Sequence, residues 1–99
     1  MTDTVYTLQQ IKTILQPVFA SYNVKKAVLF GSYAKGLADK KSDVDILVDS
    51  GLKGLAFFGL LEDVTTSLDK NIDLIDVTQV AKNSNIDTEI ANTGVLIYG

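Results

Sequence analysis

Leu8, Ile11, Leu15, Val18, Phe19 and Tyr22 recur at the three- and four-residue spacing of one helix face. Thr7, followed three residues later by Gln10, has the form of a capping box, so the spacing predicts a helix that starts at Thr7, with Pro17 kinking or interrupting it. The next apolar run, Ala27 to Phe30, is short and stops at Gly31, as a buried strand would. Residues 43 to 48, DVDILV, read as a second strand. A loop containing Gly51 and Gly54 leads into a second long helix marked by Phe57, Leu61, Val64 and Leu68. Residues 71 to 77, NIDLIDV, predict a third strand, Val80 to Thr93 a weaker helix ending at Gly94, and VLIY a last strand. Strands alternating with helices predict an α/β fold in which helices cover a sheet of about four strands. The chain has no internal repeat, low-complexity stretch or linker.

The second strand raises a chemical question, because it places two aspartates one residue apart. In a strand, residues i and i+2 share a face, so Asp43 and Asp45 project side by side while Val44, Ile46 and Val48 pack on the other side. Like charges held this close are tolerable when a divalent cation sits between them, and oxygen-only ligands select hard ions such as Mg²⁺ or Mn²⁺. A plain alternative is an exposed edge-strand pair, against which the strongly apolar neighbours weigh. Asp73 lies in another apolar strand, where an unpaired carboxylate is expensive to bury. If the two strands are neighbours, three carboxylates converge and can hold two ions that clamp the attacking and leaving oxygens of a phosphoryl or nucleotidyl transfer. Asp76 competes for the same role, but it points to the face opposite Asp73, and register favours Asp73.

Gly31 and Ser32 supply the other half of a site. Gly31 lets the backbone turn tightly out of the first strand, and YAKGLA is able to begin a short helix whose free N–H groups, with the Ser32 hydroxyl, face a phosphate. The stretch is not a Walker A loop, since Leu37 and Ala38 follow Gly36 where Lys and Ser or Thr are required. An EF-hand loop fails as well, for want of the glycine and glutamate at its sixth and twelfth positions. Ser42 either caps the turn into the second strand or touches a ligand. Lys40 and Lys41 read as a solvated loop pair, and Tyr98 as packing.

Composition narrows the field. At 99 residues the chain is expected to form one domain, 1–99, too short for a second substrate-binding unit. A hydrophobic content of 46% excludes disorder, and no apolar run approaches the roughly 20 residues that span a bilayer. The start, MTDTVYTLQQ, has no basic region followed by an apolar one, so a cytoplasmic protein with no membrane partner is expected. With neither cysteine nor histidine, acid and base chemistry must rest on carboxylates, lysines or a metal. The formal net charge is −3 and all nine basic residues are lysines, so direct nucleic-acid binding is not expected; a metal-bound nucleotide, partly neutralised by its ions, is compatible.

The motif Gly31-Ser32, ten residues, then Asp43-x-Asp45 resembles the signature of the nucleotidyltransferase superfamily related to DNA polymerase beta. Its extended form, G-S-x-A-[RK]-G followed by S-D-x-D, is similar to that of the minimal nucleotidyltransferases, the MNT family, which pair with HEPN-domain toxins. The likeness covers nearly the whole chain: an opening helix, LFGSYAKG, SDVDILV, a helix, IDLIDV and a GVLIY ending. The resemblance implies a mixed-sheet nucleotidyltransferase fold with ATP as substrate. It also implies that Asp43 and Asp45 bind two Mg²⁺ ions (or Mn²⁺), that Asp73 completes the metal site and helps to activate the incoming hydroxyl, and that Gly31 and Ser32 hold the triphosphate. Lys35 stands where arginine is frequent in the family, keeping the charge but losing the two-pronged fork. The implied activity is transfer of AMP to a protein hydroxyl, a tyrosine of a cognate HEPN ribonuclease toxin with which the chain assembles as antitoxin. Two other readings stand beside it: an inactive antitoxin that neutralises by binding, and nucleotide transfer to a small molecule such as an aminoglycoside, which the length disfavours.

Overall fold

A computed structural model describes residues 3–99. The elements run α1 (Leu8–Ser21), β1 (Lys26–Phe30), α2 (Gly31–Lys35), β2 (Val44–Asp49), α3 (Leu55–Leu68), β3 (Ile72–Asp76), a 3₁₀ turn (Val77–Gln79), α4 (Asn85–Thr93) and β4 (Val95–Tyr98). The capping box is present: the Gln10 N–H donates to Thr7 Oγ1 at 3.1 Å, and the Thr7 N–H donates to Gln10 Oε1 at 2.8 Å. Pro17 does not interrupt α1 as the sequence led us to expect. Proline denies a donor to the carbonyl of Thr13, but both residues are exposed, so water can take the freed acceptor. Leu15 and Phe19, buried on either side of the proline, hold the helix to the core across it.

The strands form one sheet in the order β3-β2-β1-β4. It is mixed: β1 pairs antiparallel with β2 and β4, and β2 pairs parallel with β3. The parallel pair needs a crossover, which α3 supplies between β2 and β3. In β2 the apolar residues Val44, Ile46 and Val48 are fully buried and alternate with half-buried Asp45, Leu47 and Asp49. Val44, Ile46 and Val48 share a core with Ala27 and Leu29 of β1, Ile11, Leu15 and Phe19 of α1, and Leu60, Val64 and Leu68 of α3. The alternation therefore commits one face of the sheet to α1 and α3 and leaves Asp45 on the other. Tyr98 packs as expected, its ring 5.5 Å from that of Phe19.

The last helix departs from expectation. In place of one helix over 80–93, a 3₁₀ turn is followed by a separate α4. The Asp76 carboxylate caps the 3₁₀ turn by accepting from the Thr78 N–H, and Asn83 adopts a left-handed conformation (φ 63°) that no helix interior tolerates. Ser84 then caps α4 by accepting from the Asp87 N–H at 3.2 Å.

Candidate active site

The site grows from the place where β1 ends beside β2. Phe30, the last residue of β1, is the register partner of Asp45. The next residue, Gly31, turns with φ +72°, a conformation that disfavours any side chain. A Cβ added there would also overlap Asp45 Oδ2 and lie 3.1 Å from its Cγ, so glycine is needed twice, for the turn and for the space that the carboxylate fills. The five residues from Gly31 form α2, two positions earlier than the YAKGLA start suggested by the sequence, and left-handed Gly36 ends it.

On the other side of β2, Asp45 is the register partner of Asp73 in β3. Parallel partners project to the same face, so the two carboxylates stand across from each other on neighbouring strands. Asp43 lies one residue before the strand; the Val44 N–H donates to the Asn71 carbonyl at 3.0 Å and ties this entry to the start of β3. Asp45 is half-buried, whereas Asp43 and Asp73 are exposed. Burial pushes the Asp45 carboxyl up to about 6, with further upward pressure from the negative charges of Asp73, Asp43 and Glu89.

A carboxylate held that far above its ordinary range needs a compensating cation when it ionises. The donors are all hard oxygens, which suits Mg²⁺ or Mn²⁺. Among the described residues, no three acidic side chains are drawn together tightly enough to form a metal cage by themselves. An ion here would have to complete its shell with waters and phosphate oxygens, as Mg²⁺ does at nucleotide sites.

Ser32 sits half-buried in α2, directly after the Gly31 turn. The Ser42 hydroxyl instead serves its own loop, accepting from the Asp39 N–H at 2.9 Å and donating to Asp39 Oδ1 at 3.3 Å. Asp76 is not part of the carboxylate face. Buried at 5% exposure, it accepts from Ser50 N–H and Oγ (3.1 and 2.6 Å) and from Thr78 N–H and Oγ1 (3.0 and 2.7 Å). Burial alone would raise its pKa, but these four donors outweigh it and hold the carboxyl at about 2.

One participant had no signal in the sequence. Glu89 of α4 reaches Lys35 at the end of α2 with an ion pair of 3.0 Å and adds to the field at Asp45. Nothing in the spacing of residues 80 to 93 distinguished it from a solvated helix position.

Residues 9–99 match the family described as polymerase beta nucleotidyltransferase. Two proposed protein adenylyltransferases of Methanocaldococcus jannaschii are similar: one is 35% identical over 98 residues, covering 93% of this chain and 97% of the relative. The other is 37% identical over 75 residues, covering 70% and 87%. Among solved structures, a chain of a toxin-antitoxin complex with AMP-PNP superposes with a TM-score of 0.75 at 23% identity, covering 89% of this chain and 73% of its own. A chain from the complex of a tri-AMPylated Shewanella oneidensis HEPN toxin with an MNT antitoxin gives a TM-score of 0.70 at 21% identity, covering 94% and 73%.

Proposed function

The chain belongs to the polymerase beta nucleotidyltransferase family, and from that membership we propose that it transfers AMP from ATP to a tyrosine hydroxyl of a HEPN-type toxin, acting as its antitoxin. The observation that carries this reading is the facing of Asp45 and Asp73 across β2 and β3, beside a glycine turn that leaves room for the Asp45 carboxylate. The similar adenylyltransferases and the toxin-antitoxin complexes support the choice of acceptor.

Asp43, Asp45 and Asp73 would hold Mg²⁺, which when bound supplies positive charge at the α-phosphate and lowers the pKa of the attacking hydroxyl. The Gly31 turn and the Ser32 hydroxyl after it would hold the triphosphate, the hydroxyl donating to a phosphate oxygen. With five residues, α2 adds local N–H donors rather than a large summed dipole. Asp73, exposed at its strand position, is open to a hydroxyl brought by a second protein and accepts its proton. The hydroxyl oxygen bonds to the α-phosphorus as the bond to the departing pyrophosphate breaks. Ser42, bound to Asp39, contributes to nucleotide binding by setting the loop that leads into Asp43.

The test is direct. The purified chain, Mg²⁺, α-labelled ATP and a HEPN-type partner from the same operon should place label on a partner tyrosine, and Asp43→Asn with Asp45→Asn should abolish it. An unlabelled partner with both proteins folded would contradict the transfer. Protection of cells by the doubly substituted chain would assign neutralisation to binding alone.

A further inference from the structure

Lys70 lies buried, at 3% exposure, between α3 and β3, and no step of the proposed transfer uses it. An ammonium taken out of water is costly, and an apolar side chain of similar bulk would fill the same space without that cost. What lysine adds is a donor: its Nζ donates to the Lys40 carbonyl at 3.3 Å. The stem starts from a fixed point. α3 ends at Leu68, whose carbonyl accepts from the Tyr6 hydroxyl at 2.7 Å, and left-handed Asp69 closes the helix with its N–H on the Thr65 carbonyl at 2.8 Å. The turn that Lys70 reaches is closed on itself: the Ser42 N–H donates to the Asp39 carbonyl at 3.1 Å, the Asp39 N–H to Ser42 Oγ at 2.9 Å and the Lys41 N–H to Asp39 Oδ1 at 2.8 Å. It therefore moves as a body, and its ties to the sheet set its orientation. Consecutive residues on the approach to β3 supply two ties that bracket Asp43. Lys70 holds Lys40 before it, and the Asn71 carbonyl holds the Val44 N–H after it at 3.0 Å. Asp43 lies outside β2, so these flanks set its direction. The charges that act on the Asp45 carboxyl are those of Asp73, Asp43 and Glu89, so Lys70 reaches the site through the chain and not through its field.

Resting on the nucleotidyl-transfer reading, in which Asp43 is a metal ligand, we propose that Lys70 is a positioning residue for the divalent ion: by holding the 39–42 turn against the approach to β3, it fixes the direction from which Asp43 offers its carboxylate to the site shared with Asp45 and Asp73. Without the tie the turn swings about the link between Asp43 and Val44. An ion that demands near-ideal octahedral geometry then meets a ligand that binding must first order, and affinity falls by that amount. Little of the loss reaches folding, because the exposed turn leaves the Lys40 carbonyl to water.

The experiment follows Mn²⁺ binding to the full chain with a non-hydrolysable ATP analogue by electron paramagnetic resonance, alongside thermal melting and steady-state transfer. Lys70→Met, similar in bulk but without a donor, should weaken Mn²⁺ binding about tenfold. Its melting temperature should stay near that of the wild type or rise, as when other buried charges give way to apolar groups. Transfer by this variant should fall at limiting Mg²⁺ and recover as Mg²⁺ saturates. Lys70→Arg, which keeps N–H donors, should bind Mn²⁺ within about twofold of the wild type. In an Asp43→Asn background Lys70→Met should weaken Mn²⁺ binding no further, whereas in an Asp73→Asn background it should keep its full effect. Unchanged Mn²⁺ affinity in folded Lys70→Met would overturn the proposal, as would an undiminished effect without Asp43. Loss of binding that follows loss of folding and is not rescued by Lys70→Arg would overturn it too. Mn²⁺ binding needs no acceptor, so a wild-type chain that binds Mn²⁺ with the analogue yet labels no partner refutes the transfer reading alone. A wild-type chain that binds no Mn²⁺ refutes both.

Discussion

A side chain on Gly31 would occupy the place where Oδ2 of Asp45 already lies. The conformation at Gly31, φ +72°, independently excludes a side chain without strain. Gly31→Ala should therefore cost about 2 kcal/mol of stability, from left-handed strain and displacement of the Asp45 carboxylate. Urea unfolding would measure the loss. Nucleotide binding should fall by more than the stability change explains, because Asp45 must move aside.

Asp45 sets stability against activity. Its folded-state pKa, about 6, lies above that of an unfolded aspartate near 4, so its contribution to stability is complete below about pH 4 and is lost as pH rises through about 6. Without divalent cations, Asp45→Asn should stabilise the protein at pH 8 by roughly 1 kcal/mol after allowance for solvent screening, and leave it unchanged at pH 4. Mg²⁺ should stabilise the wild type at pH 8 and have much less effect on Asp45→Asn. Melts at the two pH values, with Mg²⁺ and with chelator, check all three expectations. Transfer activity of the variant should fall by at least about a hundredfold.

Asp73 and Asp76 should separate cleanly. Asp76 is buried and accepts four hydrogen bonds from Ser50 and Thr78, so Asp76→Ala should cost about 2 to 4 kcal/mol while the molecules that remain folded keep their activity. Because its folded pKa is depressed to about 2, the stability it provides is present above about pH 4 and lost as pH falls through about 2. Exposed Asp73 has no such bonds to lose, and Asp73→Asn should keep the wild-type melting temperature while transfer collapses. Acid titrations of folding and labelling assays on the two variants decide the matter.

The facing of Asp45 and Asp73 was legible because strand alternation fixes which residues share a face, and the runs DVDILV and NIDLIDV each have one apolar side. The same alternation set Asp76 apart from Asp73. The α1 start was legible for a local reason, the reciprocal hydrogen bonds of Thr7 and Gln10. What could not be read depended on contacts distant in sequence or on single backbone conformations. Pro17 is tolerated because Leu15 and Phe19 bury on both sides of it, a tertiary effect that overrides propensity. The break before α4 depends on the left-handed turn at Asn83 and on the Asp76 cap, neither of which hydrophobic spacing encodes. Glu89 meets Lys35 only because α4 folds back over α2, so no local pattern could single it out.

On the proposed function, the carboxylates of β2 and β3 act together on one divalent site. Mn²⁺ binding in the presence of a non-hydrolysable ATP analogue, followed by electron paramagnetic resonance, tests it most directly. Asp45→Asn and Asp73→Asn should each weaken Mn²⁺ binding at least about tenfold, with Asp76→Asn, measured where it is folded, close to wild type. Wild-type Mn²⁺ affinity in Asp73→Asn would contradict the account.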